Sequence, residues 1–325
     1  MKLVTAVVAI VVGVGGVMAV FWLLNAAVDR MPEGWRARLR PWVFIGPAVL
    51  VVTLFLLYPA IDTLRLSFFS SRSESFVGVE NYQWLVTDPG IRRTLINNIL
   101  WLVFVPTVAV AVGLAVAVLA DKLTAKWEKA SKSVIFLPMA ISFVGASTIW
   151  GFIYAWRAEG QPQIGLLNAI WTGFGGSPVA WLNQESFRLN TFALIVIMIW
   201  LQAGFAMVLL SAAIKGVPEE TIEAARIDGA TEVQIFWRVT VPQIRSTIVV
   251  VGTTILILVL KVFDIVYVMG RGRFGNDVIA NRFITELFIN FQNGRAAVIV
   301  VFLIAVTIPF MVINIRRFRE QEASR

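Results

Sequence analysis

Two charged residues interrupt a stretch of the sequence that is otherwise apolar. Lys261 and Asp264 lie within residues 246–270, which have the length and composition of a membrane-spanning helix. Charge inside a bilayer is costly and usually faces a water-filled cavity or the interior of a helix bundle. In a continuous helix the spacing of i and i+3 places both side chains on one face. The pair therefore predicts contact with a transported solute, or else an internal ion pair or snorkelling side chains that position the helix.

Uncharged polar and aromatic side chains in other apolar stretches offer further contacts for a polar solute. The amide of Asn97 can hydrogen-bond to hydroxyl groups, and the ring of Trp200 can stack on a sugar ring. Asn98, Trp150 and Gln202 have the same properties. Hydrogen bonds between helices and tryptophans at the membrane interface explain these residues equally well, so both interpretations stay open.

Several kinds of chemistry are excluded by residues that the sequence lacks. It contains no cysteine and no histidine, which removes thiolate ligands, disulfides and the commonest proton shuttle. No Gly-Lys pair occurs, so there is no phosphate-binding loop of the GxxxxGK[ST] type. No nucleophile and base are arranged for catalysis. We therefore predict no catalytic residue, no metal site and no cofactor, and we expect any ATP hydrolysis to take place in separate partner subunits.

The elements that position these residues are long apolar segments. Hydrophobic residues make up 58% of the 325 residues and the mean hydropathy is +0.79, which indicates lipid as the solvent. A helix needs roughly 20 residues to cross a hydrocarbon core about 30 Å thick. Seven segments meet this requirement: 3–28, 41–61, 94–120, 133–156, 189–214, 246–270 and 296–315. The predicted fold is all-α, a polytopic transmembrane helical bundle of about seven spans.

The basic residues are concentrated on one side of these spans. If every segment crosses, sixteen of the 28 lysines and arginines lie in residues 29–40, 121–132, 215–245 and 316–325. By the positive-inside rule this side is cytoplasmic, so the amino terminus is predicted outside and the carboxyl terminus inside. Basic residues that flank spans, and do not gather on one soluble face, indicate contact with membrane lipid and argue against nucleic acid.

The first apolar segment has two possible interpretations. Lys2 before it and the small residues at 25–27 after it are compatible with a cleaved signal peptide. Its apolar run of 22 residues, 3–24, exceeds the usual apolar region of roughly 7 to 15 residues, and arginines follow it. We predict a retained helix; cleavage would leave the other six spans unchanged.

Residues 217–242, between the fifth and sixth spans, have the pattern of two short helices. Pro218 and the acidic residues after it suit a helix start, and Gly229 suits the left-handed turn that ends the helix. Thr231 or its neighbour then starts a second helix, which Pro242 closes. Such a helix–turn–helix predicts a protein-docking element or a hairpin on the bilayer surface.

The same loop resembles the EAA motif of permeases in binding-protein-dependent ABC importers. That motif reads Glu-Ala-Ala, three residues, Gly, nine residues and Ile-x-Leu-Pro, and residues 223–242 keep this spacing with valine in place of isoleucine and leucine. In the family the loop forms a coupling helix that sits in a groove of a cytoplasmic ATPase subunit. The resemblance implies this coupling role for Glu223, Ala224, Ala225, Asp228, Gly229 and Pro242.

With the extra first helix and residues 40–42 before the second span, the chain looks most like the α-glucoside permeases of the maltose-type sugar permease family, to which further segments are similar. They include 94–98, 136–138, 165–168, 204–205 and 262–268. The Gly-Gly-Pro continuation that is usual after the last of them is replaced by the different sequence of residues 269–275. The resemblance divides the chain into an extra amino-terminal transmembrane helix and cytoplasmic linker (1–40), a permease domain of six spans (41–319) and a cytoplasmic tail (320–325).

The resemblance also implies a function and a set of partners. The chain is expected to be the transmembrane permease subunit of an ATP-driven importer of a sugar, in the cytoplasmic (inner) membrane of a bacterium. The solute would be an α-glucoside, another oligosaccharide or a sugar derivative. The implied partners are a second homologous permease that forms a heterodimer, two cytoplasmic ATPase subunits and an extracytoplasmic solute-binding protein. One alternative is a carrier driven by an ion gradient, although Asp264 is the single carboxylate within a predicted span.

Overall fold

The computed structural model describes residues 2–323, with side chains for residues 4–312 except 7 and 10. Within these residues the elements are helices, apart from one isolated bridge between Phe69 and Phe76. Five helices are long and apolar enough to cross a membrane, and two sharply bent helix pairs bring the number of spans to seven if each pair counts as one. The predicted all-α fold of about seven spans is confirmed.

The first of two compact units, residues 1–65, is formed by two long helices. α1 is Lys2–Asp29, and α2 is Glu33–Leu66, whose final residue lies in the next unit. The rings of Phe21 and Phe44 stack with centroids 6.2 Å apart. α2 is longer than the predicted span 41–61, because arginine has a high helix propensity and the helix therefore begins before the apolar residues do.

The second unit, residues 66–325, contains the other helices. They are α3 Glu80–Thr87, α4 Pro89–Asp121, α5 Ala125–Phe136, α6 Phe143–Ile153, α7 Leu166–Gly173, α8 Leu189–Lys215, α9 Glu219–Ile227, α10 Glu232–Gln243, α11 Arg245–Leu260, α12 Asp264–Val268, α13 Ile279–Ile284 and α14 Asn293–Ala323.

The centre of this unit is the packing of α4 against α8. Gly113 on α4 lies so near α8 that an added β-carbon would be 2.6 Å from Cβ of Ala206 and 2.7 Å from the backbone nitrogen of Met207. Small residues at such a crossing let two backbones approach closely, which is how helices associate in lipid. Trp101 and Leu194 are fully buried in the same apolar core.

The fourth span is broken. The sequence predicts one helix over 133–156, but α5 and its 3₁₀ continuation Leu137–Ala140 are bent by 104° relative to α6. The hydroxyl oxygen of Ser142 accepts a hydrogen bond from the backbone nitrogen of Gly145 at 3.1 Å, so a new helix starts there. Pro138, which has no N–H to donate, lies in the 3₁₀ turn just before the bend. The predicted single helix is therefore two helical segments with a sharp bend between them.

The sixth span is broken as well, and this corrects the prediction for residues 246–270. α11 ends at Leu260, and Phe263 has the non-helical dihedrals φ −142° and ψ −57° before α12 begins at Asp264. Lys261 and Asp264 therefore do not share a helix face, because the chain between them is not helical. A second bend, of 68°, separates α10 from α11.

The last span is longer than the predicted residues 296–315. α14 starts at Asn293 and runs to Ala323, with Pro309 inside it. Residues 320–323 of the predicted tail thus continue the helix, and the remaining two residues of that tail lie outside the described residues.

Candidate translocation cavity and docking element

A cavity of about 470 Å³ lies where the two broken spans meet α8. Residues on both sides of the α5–α6 break, on α8, on α11 and at the start of α12 line it. The lining consists of Met139, Ile141, Ser142, Phe143, Val144, Gln202, Phe205, Thr254, Leu258 and Asp264. Most of these side chains are apolar or aromatic, with a few polar groups among them, which is the usual composition of a small-molecule site.

Two polar side chains in this cavity have no partner in the described part of the protein. Gln202 is only 5% exposed, yet its amide makes no hydrogen bond to the described residues. The carboxylate of Asp264 likewise forms no hydrogen bond or ion pair with them. Both side chains border the cavity, so their polar groups are available to water or to a polar ligand.

Lys261 does not join Asp264 in the cavity. It caps the carboxyl end of α11, its side chain is exposed, and it is not among the residues that line the cavity. Of the two charged residues that the sequence singles out, the structure brings only Asp264 to the cavity.

Trp200 packs in an aromatic cluster and does not line the cavity. Its ring meets the ring of Trp150 edge to face with centroids 5.8 Å apart, and Trp150 in turn lies 5.2 Å from Tyr154. The hydroxyl group of Tyr154 donates to the carbonyl oxygen of Ala193 at 2.8 Å. These contacts hold α6 against α8.

Asn97 lies elsewhere, fully buried near the start of α4. Its side-chain nitrogen donates to the carbonyl oxygens of Gly275 and Asp277, each at 2.8 Å, and Arg188 donates to its side-chain oxygen. Asn97 therefore holds the loop before α13 onto α4 and does not line the cavity. Sequence spacing gives no sign of these contacts, because the partners are 178 and 180 residues away.

Asp277 in this loop has an unusual environment. Burial raises the pKa of its carboxyl group from 3.8 to about 6, although hydrogen bonds from Asn281 and from the backbone of Val278 oppose the change. The side-chain nitrogen of Asn281 donates to the carboxylate at 2.6 Å.

The segment 217–242 forms the predicted pair of short helices. α9 is followed by Gly229 at φ +81°, a left-handed conformation that favours glycine. Thr231 caps α10, and Gln234 completes a capping box with it. Arg226 donates to the carboxylate of Glu232 at 2.8 Å, which raises the pKa of Arg226 and joins the two helices.

We name residues 217–242 the docking element after the role predicted for them, and part of its surface is exposed although it bears apolar side chains. Ile227 is 85% exposed, and Val233 and Trp237 are also largely exposed. Beside them Glu223, Ala224, Asp228 and Gly229 are exposed and Ala225 is half-buried, while Pro242 is exposed near the bend before α11. Exposed apolar side chains rimmed by charge are typical of a surface that binds another protein.

A second cavity, of about 440 Å³, lies between the docking element and the ends of α4 and α8. Arg226 and Glu232 line it from the docking element, and Asp121 and Lys122 line it from α4 and the residue after it. The docking element is thus close to the charged ends of the central helices.

The structure therefore defines a polytopic membrane transport subunit, with a cavity at two broken spans and an exposed docking element. Residues 102–316 match the family described as the inner membrane component of binding-protein-dependent transport systems. The chain belongs to this family and is the translocation component, or permease, of such a system. It is a multi-pass protein of the inner membrane.

Individual proteins that are similar to this chain are permeases as well. The chain is 54% identical to the osmoprotective compounds uptake permease protein GgtC of Synechocystis, over 87% of this chain and 100% of that one. It is 45% identical to the α-glucoside transport system permease protein AglF of Rhizobium meliloti, over 97% of each chain. The predicted relationship to sugar permeases of the α-glucoside type is confirmed.

A solved structure has the same fold. It is a bacterial ABC transporter involved in the import of the acidic polysaccharide alginate, and a chain of it superposes with a TM-score of 0.72. The two chains are 21% identical, and the match covers 90% of this chain and 99% of the other.

Proposed function

We propose that this permease imports a sugar or a sugar derivative, such as an α-glucoside or another oligosaccharide, with energy from ATP. The observation that carries the proposal is the cavity of about 470 Å³, where Gln202 and Asp264 have no partner among the described residues. Its volume is within the range of roughly 300–1,000 Å³ that is usual for small-molecule sites. The name of one relative, the α-glucoside transport system permease protein AglF, supports a sugar derivative as the solute.

In this proposal Asp264 and Gln202 hydrogen-bond to hydroxyl groups of the solute, and Phe143 and Phe205 supply apolar contact surface. Trp200 supports the wall of the cavity through Trp150. Lys261 meets the solute only on its way to the cavity, because its exposed side chain follows the end of α11. Asn97 acts on the pathway indirectly, through the loop that it holds.

We further propose that the docking element couples the permease to ATP hydrolysis in two cytoplasmic ATPase subunits. Glu223, Ala224, Ala225, Asp228, Gly229 and Pro242 form the contact together with Ile227, whose exposed apolar side chain needs a partner. A second homologous permease and an extracytoplasmic solute-binding protein complete the importer. The amino terminus lies outside and the carboxyl terminus in the cytoplasm, on the side of the docking element. Residues 1–40 are an added helix and linker, 41–319 the permease domain and 320–325 a tail.

A carrier driven by an ion gradient is the second candidate, since the carboxylate of Asp264 in a cavity is also a possible ion site. Reconstitution separates the two candidates. The chain is expressed together with the proteins encoded by the genes that flank its own, purified through a tag on this chain, and placed in proteoliposomes.

We expect the ATPase subunits to copurify and uptake of a labelled α-glucoside to require ATP and the binding protein. Uptake without ATP that collapses when an ionophore dissipates the ion gradient would identify a carrier. Replacement of the catalytic carboxylate in the ATPase subunits serves as the control for ATP dependence.

A further inference from the structure

Four charged residues form an ionic network where α4, α5 and α8 meet. Lys215, the last residue of α8, lies 2.5 Å from the carboxylate of Glu128 on α5 and 3.4 Å from that of Asp121 at the end of α4. Lys132, also on α5, pairs with Glu128 and donates to the hydroxyl group of Ser211 on α8. The side chains of Glu128 and Lys132 are only 16% and 18% exposed, so water screens this part of the network weakly.

The network belongs to a longer contact between α5 and α8. Glu128 faces Lys215 and Lys132 faces Ser211, while Gly204, still nearer the start of α8, touches the backbone of Phe136. An added β-carbon on Gly204 would lie 2.8 Å from Cα of Phe136. The two helices are therefore antiparallel and in contact from end to end of α5.

Both ends of this helix pair lead to the sites described above. At one end α8 passes through Gly216 and the buried Val217 into α9 of the docking element. At the other end α5 passes into Leu137–Ala140 and then the break at Ser142, where the residues line the 470 Å³ cavity. A displacement of the docking element reaches the cavity through this pair if α5 and α8 move together.

The geometry of Lys215 makes its two links unequal. The ammonium group is close to Glu128 but 3.4 Å from Asp121, whose side chain is 40% exposed and therefore open to water. Lys215 is 50% exposed in both pairs, so the partner makes the difference: Glu128 is 16% exposed and is also paired with Lys132. An exposed pair contributes little and is screened by salt. The link from α8 to α4 is thus the weaker one, and the link from α8 to α5 is the stronger one.

We propose that Glu128, Lys132 and Lys215 join α5 to α8 so that the two move as one body with the docking element, while the contact of Lys215 with Asp121 opens and closes. These residues position the cavity wall and do not touch the solute. The inference rests on the proposed coupling to ATPase subunits. It adds that α5 and α8 move with the docking element and that α4 separates from it.

Distance measurements on the native network test the direction of this motion. The sequence has no cysteine, so paired cysteines introduced here carry the only spin labels on this chain. Lys129→Cys with Glu220→Cys reports on α5 and α9, and Lys122→Cys with Glu220→Cys reports on the end of α4 and α9; all three side chains are exposed. On ATP binding we expect the first distance to stay constant and the second to change by more than about 2 Å. A change in the first distance overturns the proposal.

Substitutions test the role of the charges. Glu128→Gln should lower the solute transported per ATP hydrolysed about fivefold and leave the half-saturating concentration of the binding protein unchanged. Glu185→Gln is the matched control. Glu185, in the loop before α8, pairs with Arg93 near the start of α4, away from this network. In Glu128→Cys with Lys215→Cys, transport per ATP should fall and then recover when a short bifunctional thiol reagent joins the two cysteines.

The outcomes distinguish this proposal from the proposed coupling to ATPase subunits, on which it rests. If the wild-type complex neither retains ATPase subunits nor uses ATP, the proposed function is wrong. If the wild-type complex is active and Glu128→Gln keeps the wild-type ratio of solute transported to ATP hydrolysed, only the proposed link between α5 and α8 is wrong. A double-cysteine variant that assembles but is not restored by cross-linking also contradicts this link.

Discussion

Gly204 on α8 lies against the carbonyl group of Ile135 on α5, so closely that a β-carbon at position 204 would overlap the carbonyl oxygen. This contact sets the distance between the helix that leads to the docking element and the first half of the broken fourth span. Because the atoms it meets belong to the backbone, the neighbouring helix has no side chain that can turn away.

The first prediction concerns this glycine. Gly204→Val should force α5 and α8 apart and destabilise the protein by about 1–3 kcal/mol, the usual cost of overpacking a well-packed core. The change is measured as a lower melting temperature of the detergent-solubilised permease. Gly252→Ala on α11 is the control, since a β-carbon there meets only Cγ2 of Val110 at 4.0 Å. Equal stability of the two variants would show that the close contact is not needed.

The second prediction concerns Asn97. Asn97→Ala removes two hydrogen bonds to the loop before α13 and leaves the guanidinium group of Arg188 without its partner. An unpaired buried polar group costs about 1–3 kcal/mol, so the loop should open more often. Faster amide hydrogen exchange over residues 272–280 checks this. Asn183→Ala, an exposed loop position, should leave exchange unchanged; unchanged exchange in both variants would refute the anchoring role.

The third prediction follows from Asp277. Its pKa is raised from 3.8 to about 6 in the folded protein, mainly by burial, so the folded state holds its proton more tightly than the unfolded state does. The resulting stability is present below about pH 4 and is lost as pH rises through about 6. Asn281, Arg282 and Glu286 are the neighbouring side chains that modulate this titration.

Protection of residues 272–280 from hydrogen exchange, corrected for the intrinsic rate, should therefore decrease between pH 5 and pH 7. Asp277→Asn should remove this dependence, because its amide oxygen still accepts from Asn281 and it carries no charge to bury. Asp228→Asn in the docking element should keep it. A pH dependence that survives in Asp277→Asn would contradict the assignment.

The fourth prediction addresses the cavity. Gln202→Leu should raise the half-saturating solute concentration about 3- to 10-fold, and Asp264→Asn about 10-fold or more, since hydrogen bonds to charged groups are the stronger ones. Thr253→Val is the control: its hydroxyl group donates to Val249 within α11 and does not line the cavity. Because Lys261 and Asp264 form no ion pair, neutralising both should give additive effects. Non-additive losses would mean that the two charges interact.

The fifth prediction concerns the docking element. Gly229→Val puts a β-branched residue at φ +81°, which is strained although no atom lies within 4 Å of the added β-carbon. Glu223→Lys is tested as a second, separate variant. Each variant should reduce ATP-dependent uptake and the amount of copurified ATPase, while the melting temperature of the permease stays the same. Ser75→Lys, in an exposed loop outside this element, is the control. Normal uptake in both docking variants would exclude the coupling role.

The spans and the docking element were readable from the sequence because they depend on local features. Apolar length predicts helices such as α4 and α8, and the order of proline, glycine and threonine predicts the two helices around Gly229. The breaks in the fourth and sixth spans were missed. Residues 133–156 and 246–270 are apolar enough to form single helices. Apolar length does not reveal the Ser142 cap in the first segment or the non-helical backbone of Phe263 in the second.

The candidate site was predicted only in part, for a related reason. Asp264 stands out in the sequence as a charge in an apolar run, and it lines the cavity. Lys261 does not line the cavity, because α11 ends just before it and the two residues do not share a helix face. The sequence predicts that Asn97 can contact a solute, but its side chain instead hydrogen-bonds to a loop that is distant in the sequence. Of the ionic network, only Glu128 and Lys132 have a local signature, at i and i+4; Asp121 and Lys215 join them through folding.

The two spans beside the cavity are interrupted without leaving their helix ends unpaired. The carbonyl oxygens of Pro138, Leu258 and Val259 accept hydrogen bonds from donors three residues further along the chain. The polarity of the cavity therefore depends on a few side chains, such as Gln202 and Asp264. Substitution of those few residues can change which solute is accepted while the hydrogen bonds at the helix ends are kept, which gives this architecture room to diversify its cargo without rebuilding the bundle.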